Sequence, residues 1–196
     1  IFQQVDGSLY LLPWQFLHRG KITDFAHRLQ KEAQKIIWDE LKTYIDFAYI
    51  AMHGRYAEDG IMQATLELFG IPYLGSSIYT SGLCMNKMHT KTMLRANKIK
   101  TPNGLVVCPH ERKLLTEKKL QSMLAEKKLS FPLVIKPNNE GSSLGISVGH
   151  SVKETLKAIN SAATSYSAKE QPVVVEEYLD GMEFSCITLI DNTTNK

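Results

Sequence analysis

The sequence predicts a mixed α/β and α+β fold, in which a part with parallel strands precedes a part where short strands and helices alternate. The run FAYIAM at residues 47–52 is continuously apolar, as expected for a parallel strand buried on both faces. A polar loop and a helical pattern follow this run, which completes half of a βαβ unit. From about Asn86 onwards, amphipathic helical patterns alternate with β-prone runs and turn signals.

The composition is that of an ordinary globular protein. Its 196 residues, 43% of them hydrophobic and 22% charged, can form one large domain or two small ones. The formal net charge of +3 is too small to indicate nucleic-acid binding without a concentrated basic patch. Three widely spaced cysteines, Cys84, Cys108 and Cys186, predict neither a zinc site nor a disulfide framework. Without a signal-peptide pattern or an apolar run of membrane-spanning length, we expect a cytoplasmic protein with no membrane partner.

The first part begins with a predicted hairpin. Two short β-prone runs flank Asp6 and Gly7, where glycine accepts the positive φ of a tight turn. Residues 24–42 follow with a punctuated helical pattern. Ligands of open α/β sheets collect in loops that leave the carboxyl ends of strands, so the loop at residues 53–59 is a candidate site. Two helical rows then precede Gly70, namely Ile61, Thr65 and Leu68, and Met62, Leu66 and Phe69.

The second part is predicted to open with an amphipathic helix that has a basic face. Its apolar stripe comprises Met85, Met88, Thr92, Ala96 and Ile99, and its basic face comprises Lys87, Lys91, Arg95 and Lys98. Strands are predicted at about 105–108, 131–136, 173–178 and 183–190, and helices at about 116–128 and from residue 151 onwards. We expect a boundary between two domains near Asn86, at the start of the first of these helices.

The stretch KPNNEGSSLG at residues 136–145 places a lysine at the end of a predicted strand, beside a loop of small polar residues. Backbone N–H groups, hydroxyls and an ammonium group are what a phosphate cradle needs. The simpler alternative is a hairpin turn whose Asn, Gly and Ser residues satisfy backbone geometry. Neither G-x-x-x-x-G-K-[ST] nor G-x-G-x-x-G occurs in the chain. Spacing alone therefore leaves both interpretations open, with the turn slightly favoured.

Four stretches in order make the chain resemble a known family. They are MHGRYAEDGIMQATLELFGIPYLGS, MNKMHTK, FPLVIKPNNEGSSLG and VVVEEYLDGMEFS. Together they resemble the D-alanine–D-alanine ligase family of ATP-grasp enzymes over residues 47–189. The resemblance implies that ATP phosphorylates the carboxylate of one D-alanine, and that the amine of a second attacks the acyl phosphate. The product would be the dipeptide used in peptidoglycan.

The resemblance also implies a domain organisation and a set of phosphate and substrate residues. A partial N-terminal ligase domain would occupy residues 1–85, an ATP-grasp lid subdomain 86–179, and the start of the C-terminal subdomain 180–196. Lys87 and Lys136 match the family lysines that contact ATP phosphates. Ser142 and Ser143 match the loop that closes over the phosphates, and the first of them also helps to place the first amino acid. His53 matches the family histidine near the first D-alanine.

A second set of residues is implied to bind the nucleoside. Glu176, Glu177, Tyr178 and Leu179 match the linker that holds adenine, and Glu183 matches the ribose-binding acid. For Tyr178 and Leu179, plain strand core is an equal alternative. Lys91 matches a common family lysine and suits a helix-surface charge just as well. Glu58 and Asp59 are expected to serve the turn after His53 and the start of the next helix.

The chain is expected to be incomplete at both ends. The family's Gly-rich opening strand is missing before Ile1, and its magnesium ligands and catalytic arginine are expected beyond Lys196, so no metal ligand is predicted here. ATP and Mg²⁺ are the implied cofactors, and a homodimer is implied. The alternatives are a D-alanine–D-lactate or other ATP-grasp carboxylate–amine ligase, and a noncatalytic nucleotide-binding relative. We further hypothesise that residues 138–145 form a mobile lid over the phosphates.

Overall fold

A computed structural model describes residues 1–4, 6–17, 21–164 and 170–186. The chain forms two compact units, Ile1–Met85 and Asn86–Lys196. The finer division of the second unit into a lid subdomain and the start of a C-terminal subdomain stays a prediction. Within the described ranges, no helix is both long enough and apolar enough to cross a lipid bilayer.

The first unit opens with the predicted hairpin. Strands β1 (Phe2–Gln3) and β2 (Leu9–Leu11) pair antiparallel, with Phe2 opposite Tyr10. Gly7 has a φ of +87° in the turn, and the carboxylate of Asp6 accepts a hydrogen bond from the Ser8 N–H at 2.9 Å. The glycine supplies the positive φ that the turn requires, so the hairpin prediction is confirmed.

The helical prediction for residues 24–42 is wrong at its centre. Short helices α1 (Trp14–Leu17), α2 (Ile22–Phe25) and α3 (Leu29–Glu32) are followed by a strand, β3 (Gln34–Ile36). Helix α4 (Leu41–Tyr44) and 3-10 turns at Ala26–Arg28 and Trp38–Glu40 complete this region. Strand β3 pairs antiparallel with β2, and this long-range pairing places Ile36 in the core at 3% exposure. Tertiary pairing has overridden local helical periodicity there.

The predicted parallel strand is present but short. Strand β4 (Ala48–Tyr49) pairs in parallel with β5 (Tyr73–Leu74), and helices α5 (Ile61–Leu68) and α6 (Ile78–Met85) accompany the pair. The expectation of burial on both faces is wrong, because Phe47 is 54% exposed and Tyr49 is 73% exposed. Within the described residues β4 has one hydrogen-bonded neighbour, β5, so its apolar run is only partly covered.

One of the two predicted rows of α5 forms the buried face. Met62 and Leu66 are 9% and 3% exposed, whereas Ile61 and Leu68 are 48% and 81% exposed. The helix that the two rows predicted is therefore confirmed, and the row that contains Met62 forms its buried face. The main core cluster of this unit comprises Leu9, Ile36, Leu41, Met62, Leu66 and Ile71.

The second unit is built on a four-stranded antiparallel sheet in the order β6-β9-β7-β8. The strands are β6 (Gly104–Val107), β7 (Leu133–Pro137), β8 (Ser147–Gly149) and β9 (Val173–Glu177). The helices are α7 (Lys87–Ala96), α8 (Pro109–Arg112), α9 (Glu117–Glu126) and α10 (Val152–Thr164). These elements confirm the predicted order from the first helix to the strand that begins at Val173. The further strand predicted at 183–190 is absent from residues 183–186, and its remainder lies outside the described residues.

Alternation along the strands gives this sheet an apolar dry face and a second face, called here the open face, which carries charged residues and is partly covered by helix α7. Leu133, Ile135, Val173 and Val175 are each 0% exposed and pack with apolar residues of α9 and α10. Successive strand residues point to opposite faces, so Val134, Lys136, Val174 and Glu176 lie on the other face. The charged residues of β7 and β9 therefore share one surface.

Candidate functional site

The site begins with a lysine and a glutamate on the open face of the sheet. Lys136 lies opposite Val174 in the β7–β9 register, and Glu176 lies opposite Val134, so the two charged residues are diagonal neighbours. The Lys136 Nζ is 2.6 Å from the Glu176 Oε1. The side chain of Glu176 is only 6% exposed, whereas that of Lys136 is 28% exposed. The buried acid thus has the partner that its burial requires.

Helix α7 turns its lysines toward this face. The Lys91 ammonium contacts the Glu176 Oε2, and its side chain is 16% exposed. The Lys87 Nζ donates to the backbone carbonyl of Glu140 at 2.5 Å. In contrast, Thr92, Ala96 and Ile99 of the predicted apolar stripe are exposed. The predicted orientation of the helix is therefore wrong, and Lys91 is not a helix-surface charge.

Burial and mutual proximity perturb the charges of the cluster. Burial alone would raise the pKa of Glu176, but the hydrogen bonds and positive charges of Lys136 and Lys91 outweigh it and lower that pKa. Burial lowers the pKa of Lys87, and the neighbouring charge of Lys136 lowers it further. Three ammonium groups here accompany two carboxylates, those of Glu140 and Glu176. The surplus positive charge suits an anion.

The amino terminus of α7 is capped by two asparagines. The Asn86 Oδ1 accepts from the His89 N–H at 3.0 Å, and the Asn138 Oδ1 accepts from the Met88 N–H at 2.9 Å. The carbonyl of Asn138 accepts from the Lys87 N–H at 3.0 Å. These are N–H groups that a helix start otherwise offers to an anion. The first three N–H groups of α7 therefore already have acceptors within the protein, and the positive charge near this helix start is that of the lysine side chains.

The loop between β7 and β8 has a fixed root. The Asn138 N–H donates to the Pro172 carbonyl at 3.0 Å, and the Asn139 N–H donates to the Gln171 Oε1 at 2.9 Å. The Gln171 Nε2 donates in turn to the Glu140 Oε1 at 3.0 Å. Asn138, Glu140 and Gln171 are all buried. These bonds and this burial argue against mobility of residues 138–140, so the lid hypothesis for residues 138–145 stays a prediction mainly for the tip.

The tip of the same loop is different. Ser142 and Ser143 are exposed and have left-handed φ values of 49° and 57°. Such values are disfavoured for residues with a Cβ, so this tip is a strained segment with accessible hydroxyls. The sequence indicated these two serines, but not the anchoring by Asn138 and Gln171. An asparagine two residues after the strand-end lysine, directly after the last residue of β7, was a signal for the first. Gln171 carried no local signal.

The segment after Glu176 leaves the sheet. The Glu177 Oε2 accepts from the Asn103 N–H at 2.6 Å, and the Glu177 N–H donates to the Asn103 carbonyl at 3.0 Å. Tyr178 and Leu179 are 47% and 67% exposed, so the strand-core alternative for them is wrong. Glu183 is also exposed. Glu176 thus pairs with Lys136 and Lys91, and Glu177 is hydrogen-bonded to Asn103, directly before β6. The nucleoside-binding roles of residues 176–179 and Glu183 stay predictions.

His53 belongs to the first unit and lies exposed in the loop after β4. The Glu58 Oε2 accepts from the Gly54 N–H at 2.6 Å, and Gly54 has a φ of +73°. Asp59 accepts from the Tyr56 N–H at 2.9 Å and from the first N–H of α5 at 3.2 Å. The predicted structural roles of Glu58 and Asp59 are confirmed, whereas the substrate role of His53 stays a prediction.

The first unit also contains an apolar groove with a volume of 540 Å³. His53 lies at its lining, and most of the other lining residues are apolar, among them Phe2, Trp38, Ile45, Phe47, Ile50 and Met62. Such a lining does not suit a zwitterionic amino acid, because its charges would lack partners. Across the residues that the structure describes, no group of three or more His, Cys, Asp or Glu side chains is placed to hold a metal ion.

Comparisons with known proteins agree with this architecture. The family described as "D-ala D-ala ligase C-terminus" matches residues 93–196, and "D-ala D-ala ligase N-terminus" matches residues 14–76. A D-alanine--D-alanine ligase of Bacillus anthracis is 39% identical over 142 residues, which are 72% of this chain and 43% of that protein. One from Pseudomonas fluorescens is 38% identical over 151 residues, 77% of this chain and 43% of the relative. The chain thus spans less than half the length of these relatives.

Solved structures give the same picture. The D-alanine–D-alanine ligase of Helicobacter pylori aligns with a TM-score of 0.70 and 24% identity, over 92% of this chain and 54% of the other. The Bacillus anthracis enzyme complexed with ATP aligns with a TM-score of 0.57 and 34% identity, over 73% of this chain and 45% of the other. The agreement with these ligase structures places the fold of the chain in the ATP-grasp class. Within that class, it belongs to the D-alanine–D-alanine ligase family.

Proposed function

We propose that the protein is an ATP-dependent ligase that joins two D-alanines through a D-alanyl phosphate to make D-alanyl-D-alanine for peptidoglycan. The single observation that carries the proposal is the group of lysines on the open face of the second unit, in a chain of this family. Relatives at 38% and 39% identity carry the name of this ligase. A cytoplasmic homodimer is proposed from the resemblance alone.

Lys136 and Lys87 are proposed to bind the phosphates of ATP. Both side chains end on the open face, and their positive charges would stabilise the negative charge that crowds onto the oxygens during phosphoryl transfer. ATP, when bound, supplies the phosphoryl group that activates a carboxylate. The hydroxyls and N–H groups of Ser142 and Ser143 are proposed to donate to the same oxygens, and Ser142 also to position the first D-alanine.

The remaining site residues are proposed to position the substrates. Residues 176–179 would hold adenine, Glu183 would accept hydrogen bonds from ribose hydroxyls, and His53 would lie near the first D-alanine. Mg²⁺ is proposed as a second cofactor on family resemblance. The described residues offer no acidic cluster that fits this ion, so we assign it no ligand.

The test measures ATP binding by isothermal titration calorimetry with the purified protein and its Lys136→Ala variant. We expect the variant to bind ATP more weakly by about 1.5–3 kcal/mol, because one charge-assisted contact is lost. The matched control is Lys118→Ala, an exposed lysine on α9, which packs on the dry face of the sheet. Unchanged ATP affinity in Lys136→Ala would remove the assignment. The natural protein in which this chain occurs should also release ADP only when D-alanine is present.

A further inference from the structure

We propose that Lys91 is a positioning residue for nucleotide binding, which neutralises Glu176 and thereby leaves the charge of Lys136 available to the phosphates. The inference rests on the proposed function, because it concerns how the same site binds ATP. Lys91 itself need not touch the nucleotide. It acts through the carboxylate that it shares with Lys136.

The geometry of Lys91, Lys136 and Glu176 supports different roles for the two lysines. Each oxygen of the Glu176 carboxylate takes one ammonium group, Oε1 that of Lys136 and Oε2 that of Lys91. Of the two lysines, Lys91 is the more buried, at 16% exposure against 28% for Lys136. The surplus charge of the trio is therefore presented to solvent mainly by Lys136.

The surrounding structure holds Lys91 and Glu176 in place. Lys91 lies one helical turn after Lys87 on α7, whose first turn is fixed by the Asn86 and Asn138 caps. Gly104 lies directly opposite Glu176 on β6, and a Cβ there would come within 2.8 Å of the Glu176 Cβ. The absence of a Cβ at Gly104 thus provides the space that the Glu176 side chain occupies. Three separate segments, namely α7, β9 and β6, therefore determine the contact between Lys91 and Glu176.

Charge balance gives the expected effect. With Lys91 present, two ammonium groups share one carboxylate, and one net positive charge remains for an incoming anion. Without Lys91, the carboxylate and Lys136 form a neutral pair, and the attraction for phosphate falls. Charges at this separation interact appreciably in a partly buried site, so we expect ATP affinity to fall about tenfold.

The experiment is a double-mutant cycle read out as the dissociation constant for ATP at fixed ionic strength. Its four proteins are the wild type, Lys91→Met, Glu176→Gln and the double variant, each first checked for a cooperative thermal transition. We expect Lys91→Met to weaken ATP binding about tenfold in the wild-type background. In the Glu176→Gln background the same substitution should change the affinity little, because no carboxylate is left to neutralise Lys136. Lys91→Arg should bind ATP with wild-type affinity, because it keeps the positive charge beside Glu176. Lys118→Met, on α9, which packs on the dry face of the sheet, should also bind ATP with wild-type affinity.

The outcomes separate the two proposals. If the wild type itself does not bind ATP, the proposed function fails and this inference fails with it. If the wild type binds ATP and Lys91→Met binds it equally well, only the positioning role is refuted. If Lys91→Met weakens binding equally in both backgrounds, Lys91 contacts the nucleotide directly, and the role through Glu176 is again refuted. A loss of stability without a change in affinity would assign Lys91 to folding alone.

Discussion

At the scale of single residues, Glu176 joins two segments that are far apart in the sequence. Its carboxylate bonds to Lys91, which precedes it by 85 residues, and to Lys136 on the neighbouring strand. The free energy of these bonds depends on the carboxylate being ionised. Because the pKa of Glu176 is lowered in the folded protein, its ionised form is stabilised by folding.

This lowered pKa predicts a pH-dependent contribution to stability. The contribution is fully present above the ordinary glutamate pKa of 4.5 and is lost as the pH falls through the folded-state pKa. Near neutral pH, Glu176→Gln should lower the free energy of unfolding by about 1–3 kcal/mol, and the difference from wild type should shrink in acid. Urea unfolding of both proteins at several pH values measures this difference. A difference that stays constant below pH 4.5 would contradict the lowered pKa.

The site residues also show how far sequence reasoning reaches. Lys136 could be predicted because a strand-end lysine beside a Gly-Ser loop has a recognisable pattern, which the family resemblance strengthened. Lys87 was predicted from the resemblance alone. The contact of Lys91 with Glu176 could not be predicted, since nothing local in either segment specifies a partner so distant along the chain. The face of α7 was also misjudged, because lysines with a buried acid as partner can face inward as apolar residues do.

At the scale of elements, β7 and β9 could be predicted as strands from the sequence, whereas the alternation of their two faces could not, because both begin with continuous apolar runs. Each of these two strands was predicted from an apolar run that has a charged residue near its end. Strand β3 was missed because its structure depends on pairing with β2, which local periodicity does not report. The burial of β4 was overestimated for the same reason, since its coverage depends on its neighbours in the sheet.

The β7–β8 loop predicts two classes of backbone amide in hydrogen exchange. In the free protein the amides of Asn138 and Asn139 should exchange slowly, because both are bonded in the fixed root. Those of Ser142 and Ser143 should exchange fast and should slow markedly when ATP and Mg²⁺ are added. The amide of Ile135 in β7 should stay slow throughout and serves as the control. Slow exchange at both serines without nucleotide would show that the tip is a rigid turn.

At the scale of the whole molecule, each unit has its own hydrophobic core. The cluster that contains Leu133 and Ile159 lies entirely in the second unit, and the cluster that contains Leu66 lies entirely in the first. Both tryptophans of the chain, Trp14 and Trp38, belong to the first unit. Tryptophan fluorescence should therefore report on the first unit, whereas far-ultraviolet circular dichroism should report on both.

This distribution predicts that a core mutation in one unit can be told apart from one in the other. Leu133→Ala, at a position that is 0% exposed, should destabilise the second unit by about 2–5 kcal/mol. In urea it should shift the circular dichroism transition and leave the fluorescence transition in place. The matched variant Leu66→Ala, at 3% exposure, should shift the fluorescence transition. Equal shifts of both signals in Leu133→Ala would mean that the two units unfold as one cooperative body.

The fixed root of the β7–β8 loop also affects the conformational entropy of ligand binding. Ordering the backbone of one residue costs about 1–2 kcal/mol, and a ligand that orders a loop spends part of its own affinity on that cost. Hydrogen bonds to Pro172, Gln171 and Lys87 already order residues 138–140. The conformational entropy of these three residues is therefore lost on folding and not on ligand binding. Only the short tip that begins at Gly141 is left to be ordered on binding. Gln171, which accepts from the Asn139 N–H and donates to the Glu140 carboxylate, thereby lowers the conformational-entropy cost of binding relative to a fully loose loop.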